Sequence, residues 1–327
     1  MRVLFEDSTV TALAARVESR AGSGRRAPLE PQPRPDRIPL SLAQSRMWFL
    51  NRFDTASAVD NIPVAVRLSG ELDVDALRAA VADVVARHEV LRTVYPEVDG
   101  AGHQVVLPAG EAGVELDVRA VTADSAFEVV TEIVESGFDV TAQVPVRAAL
   151  LQLGDGEHVL VFSVHHIAAD GFSMAPLTRD VMIAYAARSR GEAPAWAPLP
   201  VQYADFTLWQ REVLGAESDP ESVIARQLGY WTERLAGIPD QLDLPSDRPR
   251  PAVATNRGAA YTFTLPARLQ DAIGALARDR QATPFMVVHA ALASLLARLS
   301  GTDDIAIGAP IAGRGEAALD DLVGMFV

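Results

Sequence analysis

The feature that most constrains this chain is the stretch of residues 158–174, where a strand pattern ends on two adjacent histidines. β-Branched and aromatic residues dominate positions 159–164, and such a run is typical of a strand. Neighbouring side chains on a strand point to opposite faces, so His165 and His166 cannot share one task if the strand continues this far. We expect one imidazole to face a cleft and the other to pack in the interior.

Asp170 and Gly171 follow where the chain must turn before a helix pattern. Asp170 is a suitable helix N-cap, and Gly171 allows backbone to approach closely, so first-turn N–H groups can point at whatever His166 contacts. A titratable imidazole beside oriented donors suits acyl transfer. A lone histidine at a strand end is usually structural, and an Asp before a helix is usually only a cap. The whole His-His-x-x-x-Asp-Gly string at a strand-to-helix junction is much less expected by chance.

The histidines are predicted to lie at the end of a hairpin. Residues 146–153 and 158–166 have strand patterns, and Gly-Asp-Gly-Glu between them is a turn signal. A further strand is predicted at 62–69, and a helix with one apolar stripe follows Asp73. His88 falls on that stripe, which favours a packed histidine over a catalyst. Apolar rings recur at every third position from Tyr203, a spacing typical of core packing.

A helix opened by Ser41 carries the first candidate partner for Asp170. Arg46 lies on that helix, and arginine offers a rigid fork that matches a carboxylate. A solvated surface arginine is the alternative. The hypothesis is that Arg46 holds a buried acid such as Asp170.

Composition excludes several classes of function. The chain has no cysteine, which rules out disulfides, cysteine-based zinc sites and a thiolate nucleophile within it. Its net charge is -14, with 29 Lys plus Arg against 43 Asp plus Glu, so no basic surface for nucleic acid is expected. The start lacks a secretory signal pattern, and the most apolar stretch, residues 284–299, is interrupted by His289 and Arg298. These features predict a cytoplasmic protein without membrane contact.

Proline-rich stretches divide the chain. Residues 1–18 predict one short amphipathic helix without a core of its own, and residues 19–37 form a Pro/Arg-rich, extended linker. A second proline-rich crossing at 243–251 is expected to join two lobes, residues 38–240 and 241–327. The second lobe is predicted to contain strands near 260–265 and 304–308, and helices that begin near Ala267 and at Pro284, with Thr283 as cap.

Taken together, the sequence blocks resemble the condensation domain of nonribosomal peptide synthetases. Five stretches match in the family's order: Ser41 to Leu50, Arg87 to Thr93, His165 to Ser173, Tyr203 to Trp209, and Gly308 to Arg314 with Val323 to Val327. The resemblance implies an α+β, two-lobed fold similar to chloramphenicol acetyltransferase. It covers about residue 37 to the end, and residues 4–17 resemble the last helix of a peptidyl carrier domain. Because the family's second lobe continues further, we expect that lobe to be incomplete here.

The resemblance implies peptide-bond formation between an upstream peptidyl or acyl thioester and a downstream aminoacyl thioester. Both would arrive on phosphopantetheine arms of carrier domains, with an adjacent adenylation domain, and no cofactor or metal would be bound by the domain itself. The implied site residues are His166, His165, Asp170 and Gly171. His166 would position the amine or take its proton, Gly171 would leave room beside the carbonyl, and its amide or the next ones would serve the oxyanion. Asp170 would be fixed by an arginine, with Arg46 and Arg314 as candidates.

Other functions of the same fold stay open. A standalone CoA-dependent acyltransferase shares the histidine motif, although the linker and carrier-like tail favour a multidomain synthetase. Epimerisation and cyclisation domains are related, but the former usually departs at the glycine and the latter replaces both histidines. A non-catalytic recruitment domain generally loses part of the motif, whereas all four motif residues are present here. The motif and residues 196–210 resemble the subgroup whose donor ends in a D-residue.

Overall fold

The computed structural model describes residues 27–252 and 258–327, so the predicted carrier-like helix lies outside the described residues. The described residues form two compact units. The first comprises residues 27–224 together with Ala312–Val327, and the second is Ala225–Ile311. The segment 312–327 belongs to the first unit. The predicted boundary of the lobes between residues 240 and 241 stays a prediction.

The first unit is built on one larger sheet and several helices. In chain order its elements are β1 (Ile38–Pro39), α1 (Leu42–Phe53), β2 (Asn61–Ser69), α2 (Val74–Arg87), β3 (Thr93–Val94), β4 (Glu97–Val98), β5 (Ala101–Val106), β6 (Leu116–Ala120), α3 (Ala126–Val134), β7 (Val146–Gly154), β8 (Glu157–His165), α4 (Met174–Arg188) and α5 (Tyr203–Leu214). Short 3-10 turns lie at Glu89–Arg92, Ala109–Glu111, Gly171–Ser173 and Ala317–Leu319.

Strand β8 lies inside the larger sheet, whose strand order is β2-β8-β7-β6. It pairs antiparallel with β2 on one side and with β7 on the other, while β6 runs parallel to β7. The predicted β7–β8 hairpin is therefore confirmed. In this register Val164 lies opposite both Ile62 and Val146, and His165 lies opposite Asn61. The histidine pair is thus at the end of a strand that is hydrogen-bonded on both sides.

The two faces of β8 pack against different groups. Leu160, Phe162 and Val164 belong to the main core, in which helices α2 and α4 pack against each other. Val161 belongs to a smaller cluster with Ile133 of α3 on the opposite face. Because side chains alternate along a strand, His165 falls on the same face as Val161. Apolar burial on both faces fixes this register, since a slip of one residue would exchange the faces.

Helix α5 and the end of α2 behave as predicted. Tyr203, Phe206 and Trp209 are all buried in the main core, which confirms the core-packing prediction. His88 caps the C-terminal end of α2 and is fully buried. Its Nε2 lies 3.0 Å from Oδ2 of Asp180, and its Nδ1 accepts a hydrogen bond of 3.4 Å from the backbone N–H of Val323. His88 is therefore a packed histidine that also contacts the 312–327 segment.

The second unit contains helices and irregular segments. Helix α6 (Val223–Arg234) crosses into it, and α7 (Ala267–Asp279) packs against α8 (Pro284–Ser300). Thr283 caps α8 and Pro284 occupies its first turn, as predicted. The strands predicted near 260–265 and 304–308 are wrong, because both segments are irregular. A strand needs a neighbour for its backbone groups, and neither segment pairs with another described segment.

Among the described residues, no single helix is both long and apolar enough to cross a bilayer. Helices α7 and α8 reach the necessary length and composition only as a pair, and that pair is bent by 104°. The cytoplasmic location stays a prediction.

Two glycines allow the segment 312–327 to enter the first unit. Gly313 has a φ of +64°, and a Cβ there would lie 2.0 Å from the carbonyl oxygen of Phe326. A Cβ on Gly324 would lie 2.3 Å from the ring of Tyr203. Real Cβ atoms do not approach backbone or rings so closely, so both positions need glycine.

We expect Gly313→Ala to lower the free energy of unfolding by at least about 2 kcal/mol, because it adds both a left-handed strain and a clash. Gly308→Ala is the matched control, since its Cβ would meet nothing within 4 Å. That control should change stability by no more than about 0.5 kcal/mol. Urea unfolding followed by tryptophan fluorescence measures both. Equal midpoints for the two variants would contradict the argument.

Candidate active site

His166 is the first residue after β8, and its side chain is partly exposed. Its backbone N–H donates to the carbonyl oxygen of Asp60 over 2.8 Å, which extends the β2–β8 pairing by one contact. The imidazole Nδ1 lies 3.0 Å from Sδ of Met325. The ring therefore lies at the end of the central strand, in contact with Met325, and keeps part of its surface exposed.

His165 is buried, with only 1% of its surface exposed. Its Nδ1 accepts a hydrogen bond of 3.1 Å from the backbone N–H of Ile167, and its ring packs edge-on against Phe138. Burial, and secondarily the charge of His166, lowers the pKa of His165 to about 4. This ring is neutral near pH 7 and holds the turn that follows β8. Of the two expected imidazoles, one packed in the interior and one facing a cleft, the packed histidine is confirmed as His165, and the cleft at His166 stays a prediction.

Asp170 is fully buried and all its contacts are internal. Its Oδ1 accepts hydrogen bonds from the backbone N–H and the hydroxyl of Ser173, at 2.9 and 2.8 Å. Its Oδ2 accepts from the backbone N–H of Phe326 at 3.1 Å. A carboxylate occupied in this way caps the 3-10 turn and fixes the loop, but it does not face a substrate.

Arg314 is the arginine that lies beside Asp170. Its Nη2 is 3.3 Å from Oδ1 of Asp170 and 2.9 Å from the hydroxyl of Ser173. Its Nη1 donates to the carbonyl oxygen of Leu322 over 2.6 Å, and its guanidinium lies 4.2 Å from the ring centre of Phe326. The fork therefore joins the loop after β8 to the segment 312–327.

The alternative prediction, that Arg46 supports the site, is wrong. Arg46 is exposed on α1, and no ion pair joins it to Asp170. The buried positions of α1 are Gln44, Met47 and Asn51, which share one face at helical spacing. Position 46 lies away from that face, so its guanidinium stays in solvent.

Sequence reasoning missed three residues that shape the site. Nε2 of Gln44 donates to the carbonyl oxygen of Ile167 over 3.3 Å, and Ser173 bridges Asp170 and Gly324. Met325 contacts the ring of His166. Burial of Gln44 could have been inferred from helical spacing, because it lies on the same face of α1 as Met47. Met325 lies in the matched stretch Val323 to Val327, but 159 residues separate it from the histidine that it contacts, so no local pattern indicated that contact.

Gly171 is exposed, and a Cβ placed on it would meet no atom within 4 Å. Neither a positive φ nor internal packing requires glycine here. The space beside the Asp170-capped turn is open with or without a Cβ at this position, so the role of Gly171 in leaving room for a ligand stays a prediction.

The fold and the site define a class before any individual comparison. An α+β fold with a histidine at the end of its central strand, backed by a buried Asp–Arg pair, is of the chloramphenicol acetyltransferase-like class, which confirms the predicted fold. The sequence model of the Condensation domain matches residues 35–327. The chain belongs to the condensation domain family of nonribosomal peptide synthetases.

Curated relatives are much longer than this chain. It is 51% identical over 326 residues to a probable nonribosomal peptide synthetase, CymA, of Salinispora arenicola, covering 100% of this chain and 4% of that protein. It is 52% identical over 309 residues to the isonitrile lipopeptide synthase of Mycobacterium tuberculosis, covering 94% of this chain and 12% of that protein. A dimodular nonribosomal peptide synthase of Bacillus subtilis is 48% identical, with 99% of this chain and 14% of that protein covered.

Solved structures share the fold of this chain. The X-domain of teicoplanin biosynthesis, solved in complex with OxyB, is 36% identical with a TM-score of 0.82, covering 93% of this chain and 66% of that chain. The first condensation domain of the CDA synthetase shares the fold, with a TM-score of 0.67 at 22% identity over 89% of this chain and 68% of that chain.

We expect Asp170→Asn to lower the free energy of unfolding by about 3 to 5 kcal/mol, because it leaves the buried charge of Arg314 uncompensated. Arg46→Ala should change it by no more than about 0.5 kcal/mol, because that side chain is solvated. Urea unfolding of both variants tests the assignment of the arginine partner. A larger loss of free energy of unfolding for Arg46→Ala than for Asp170→Asn would contradict the assignment of Arg314 as the partner of Asp170.

His165 makes stability depend on pH. Its pKa is lowered from 6.5 to about 4 on folding, so between these values the unfolded chain binds a proton that the folded chain does not. Titration of His165 therefore leaves the free energy of unfolding unchanged above pH 6.5 and lowers it by about 3 kcal/mol between pH 6.5 and pH 4. His165→Asn keeps an acceptor for Ile167 but cannot titrate, so we expect its stability to fall less over this range. Urea unfolding at several pH values measures the difference, and parallel curves would contradict it.

Proposed function

We propose that this chain catalyses peptide-bond formation between an upstream peptidyl or acyl thioester and a downstream aminoacyl thioester. Both substrates would be carried on the phosphopantetheine arms of carrier domains, and an adenylation domain would load the acceptor. The observation that carries the proposal is the partly exposed imidazole of His166 at the end of β8, on a loop where the side chains of His165 and Asp170 are both hydrogen-bonded internally. Membership of the condensation family supports amide-bond formation in general.

Attack by the amine does not need a strong base in the protein. An α-amine has a pKa of about 8, so part of it is neutral near pH 7 and can attack the thioester carbonyl. The C–N bond forms first and gives a tetrahedral oxyanion; its collapse breaks the C–S bond, and the donor arm leaves as a thiolate. The imidazole of His166 holds the amine in place and accepts the proton that it loses, which then passes to the leaving thiolate.

The turn after Asp170 supplies the donors for the oxyanion in this proposal. The backbone N–H of Ser173 is used by Asp170, and that of Met174 is used by the carbonyl oxygen of Gly171. Within the described part of the chain, the N–H groups of Gly171 and Phe172 have no such partner. They start the 3-10 turn, and a tetrahedral oxyanion beside the open space at Gly171 would accept from them.

A second candidate is a docking domain for a partner enzyme. The X-domain of teicoplanin biosynthesis, solved in complex with OxyB, favours it by its likeness to this chain. The presence of His165, His166, Asp170 and Gly171 favours catalysis, because a docking surface does not need a free imidazole at the end of a strand.

We expect His166→Ala, in the complete polypeptide with loaded carriers, to lower peptide formation at least 100-fold, in the range of a lost general base. His158→Ala on the same strand is the matched control, since it lies at the other end of β8. Mass spectrometry of the carrier-bound product measures turnover, and circular dichroism checks folding.

The outcomes separate the candidates. Undiminished turnover in His166→Ala rejects the role of the imidazole. If neither the unsubstituted protein nor His166→Ala turns over, and the protein still binds a partner enzyme, the docking domain is favoured. Equal turnover with an acyl-CoA donor in place of the loaded carrier favours a CoA-dependent acyltransferase, and inversion of the donor residue without bond formation favours an epimerisation domain.

A further inference from the structure

The contact between His166 and Met325 is held by the backbone on both sides of the methionine. The carbonyl oxygen of Met325 accepts a hydrogen bond from the hydroxyl of Tyr203. The N–H of Phe326 donates to Asp170 over 3.1 Å, and the N–H of Gly324 donates to Ser173 over 3.1 Å. Only 6% of Met325 is exposed. Its thioether is therefore held against the imidazole, with Sδ at 3.0 Å from Nδ1.

A thioether sulfur has lone pairs and no proton to donate. If Nδ1 of His166 were unprotonated, its lone pair would face those of the sulfur at this short distance. If Nδ1 carries the proton, it donates to the sulfur instead. In the described part of the chain, no acceptor is hydrogen-bonded to Nε2 of His166, so no contact there requires a proton on Nε2.

We propose that Met325 is a positioning residue that holds the neutral imidazole of His166 in the Nδ1–H tautomer. The lone pair of Nε2 is then directed away from Met325 and accepts the proton of the attacking amine. The catalytic consequence rests on the proposed function, whereas the tautomer itself does not.

His165 provides an internal reference. Its Nδ1 accepts a hydrogen bond from the N–H of Ile167, so its neutral ring carries the proton on Nε2. The two adjacent histidines are therefore opposite tautomers. Sequence neighbours of the same residue type are distinguished by a backbone donor in one case and a sulfur acceptor in the other.

The test is ¹⁵N NMR of the protein labelled at histidine, at a pH where the rings are neutral. The chain has six histidines, and single His→Gln variants assign their signals. We expect a protonated Nδ1 for His166 and a protonated Nε2 for His165. Met325→Leu preserves an apolar side chain but removes the acceptor, so the tautomer ratio of His166 should move towards Nε2–H by a factor of roughly 2 to 10, the worth of one hydrogen bond. Met182→Leu, at an exposed methionine of α4, is the matched control and should not change the ratio.

Turnover is measured in parallel in the complete polypeptide with loaded carriers. We expect Met325→Leu to lower kcat in proportion to the fraction of His166 rings that remain in the Nδ1–H tautomer, with little change in KM. A protonated Nε2 on His166 in the unsubstituted protein overturns the proposal without any variant. An unchanged ratio in Met325→Leu overturns the role of the sulfur. A clear fall in the Nδ1–H fraction of His166 with unchanged kcat keeps the tautomer assignment and contradicts proton uptake by Nε2, which is a failure of the proposed function alone.

Discussion

The buried ion pair between Asp170 and Arg314 is the interaction on which the rest of the site depends. It joins two segments that are 144 residues apart, the loop after β8 and the segment 312–327. A buried charge pair contributes little net stability, but loss of one partner is costly, so it acts mainly as a specific connection. The same pair orders Ser173, Phe326 and, through its neighbouring backbone, Met325. The position of the thioether against the imidazole of His166 is thus a consequence of a contact that the histidine itself does not make.

Features that depend on residues close together in the sequence could be predicted, whereas contacts between distant residues could not. The β7–β8 hairpin and the division of His165 and His166 depend on alternation within a few residues, and both are confirmed. The choice between Arg46 and Arg314 depends on which arginine comes back to Asp170 in space, and no local pattern contains that information. Only the burial seen in the structure excludes Arg46, because Gln44 and Met47 lie on the inward face of α1 and Arg46 does not.

In the second unit, the helices were predicted correctly and the strands were not. Helices α7 and α8 were predictable because their hydrogen bonds and caps lie within the helix, as at Thr283 and Pro284. The segments near 260–265 and 304–308 have strand-like composition, but a strand exists only with a partner. No pairing occurs for them among the described residues, so β propensity alone gave the wrong answer.

The two histidines show how environment gives one residue type two tasks. Because burial keeps His165 neutral down to about pH 4, it places no positive charge beside His166 near pH 7. In the proposed reaction, a charged neighbour would oppose proton transfer to His166, since like charges disfavour each other at short distance. The neutral ring of His165 also fixes the backbone through the N–H of Ile167, at the residue that directly follows His166. Burial of the first histidine therefore serves the second twice, by removing a competing charge and by holding the turn from which the second ring projects.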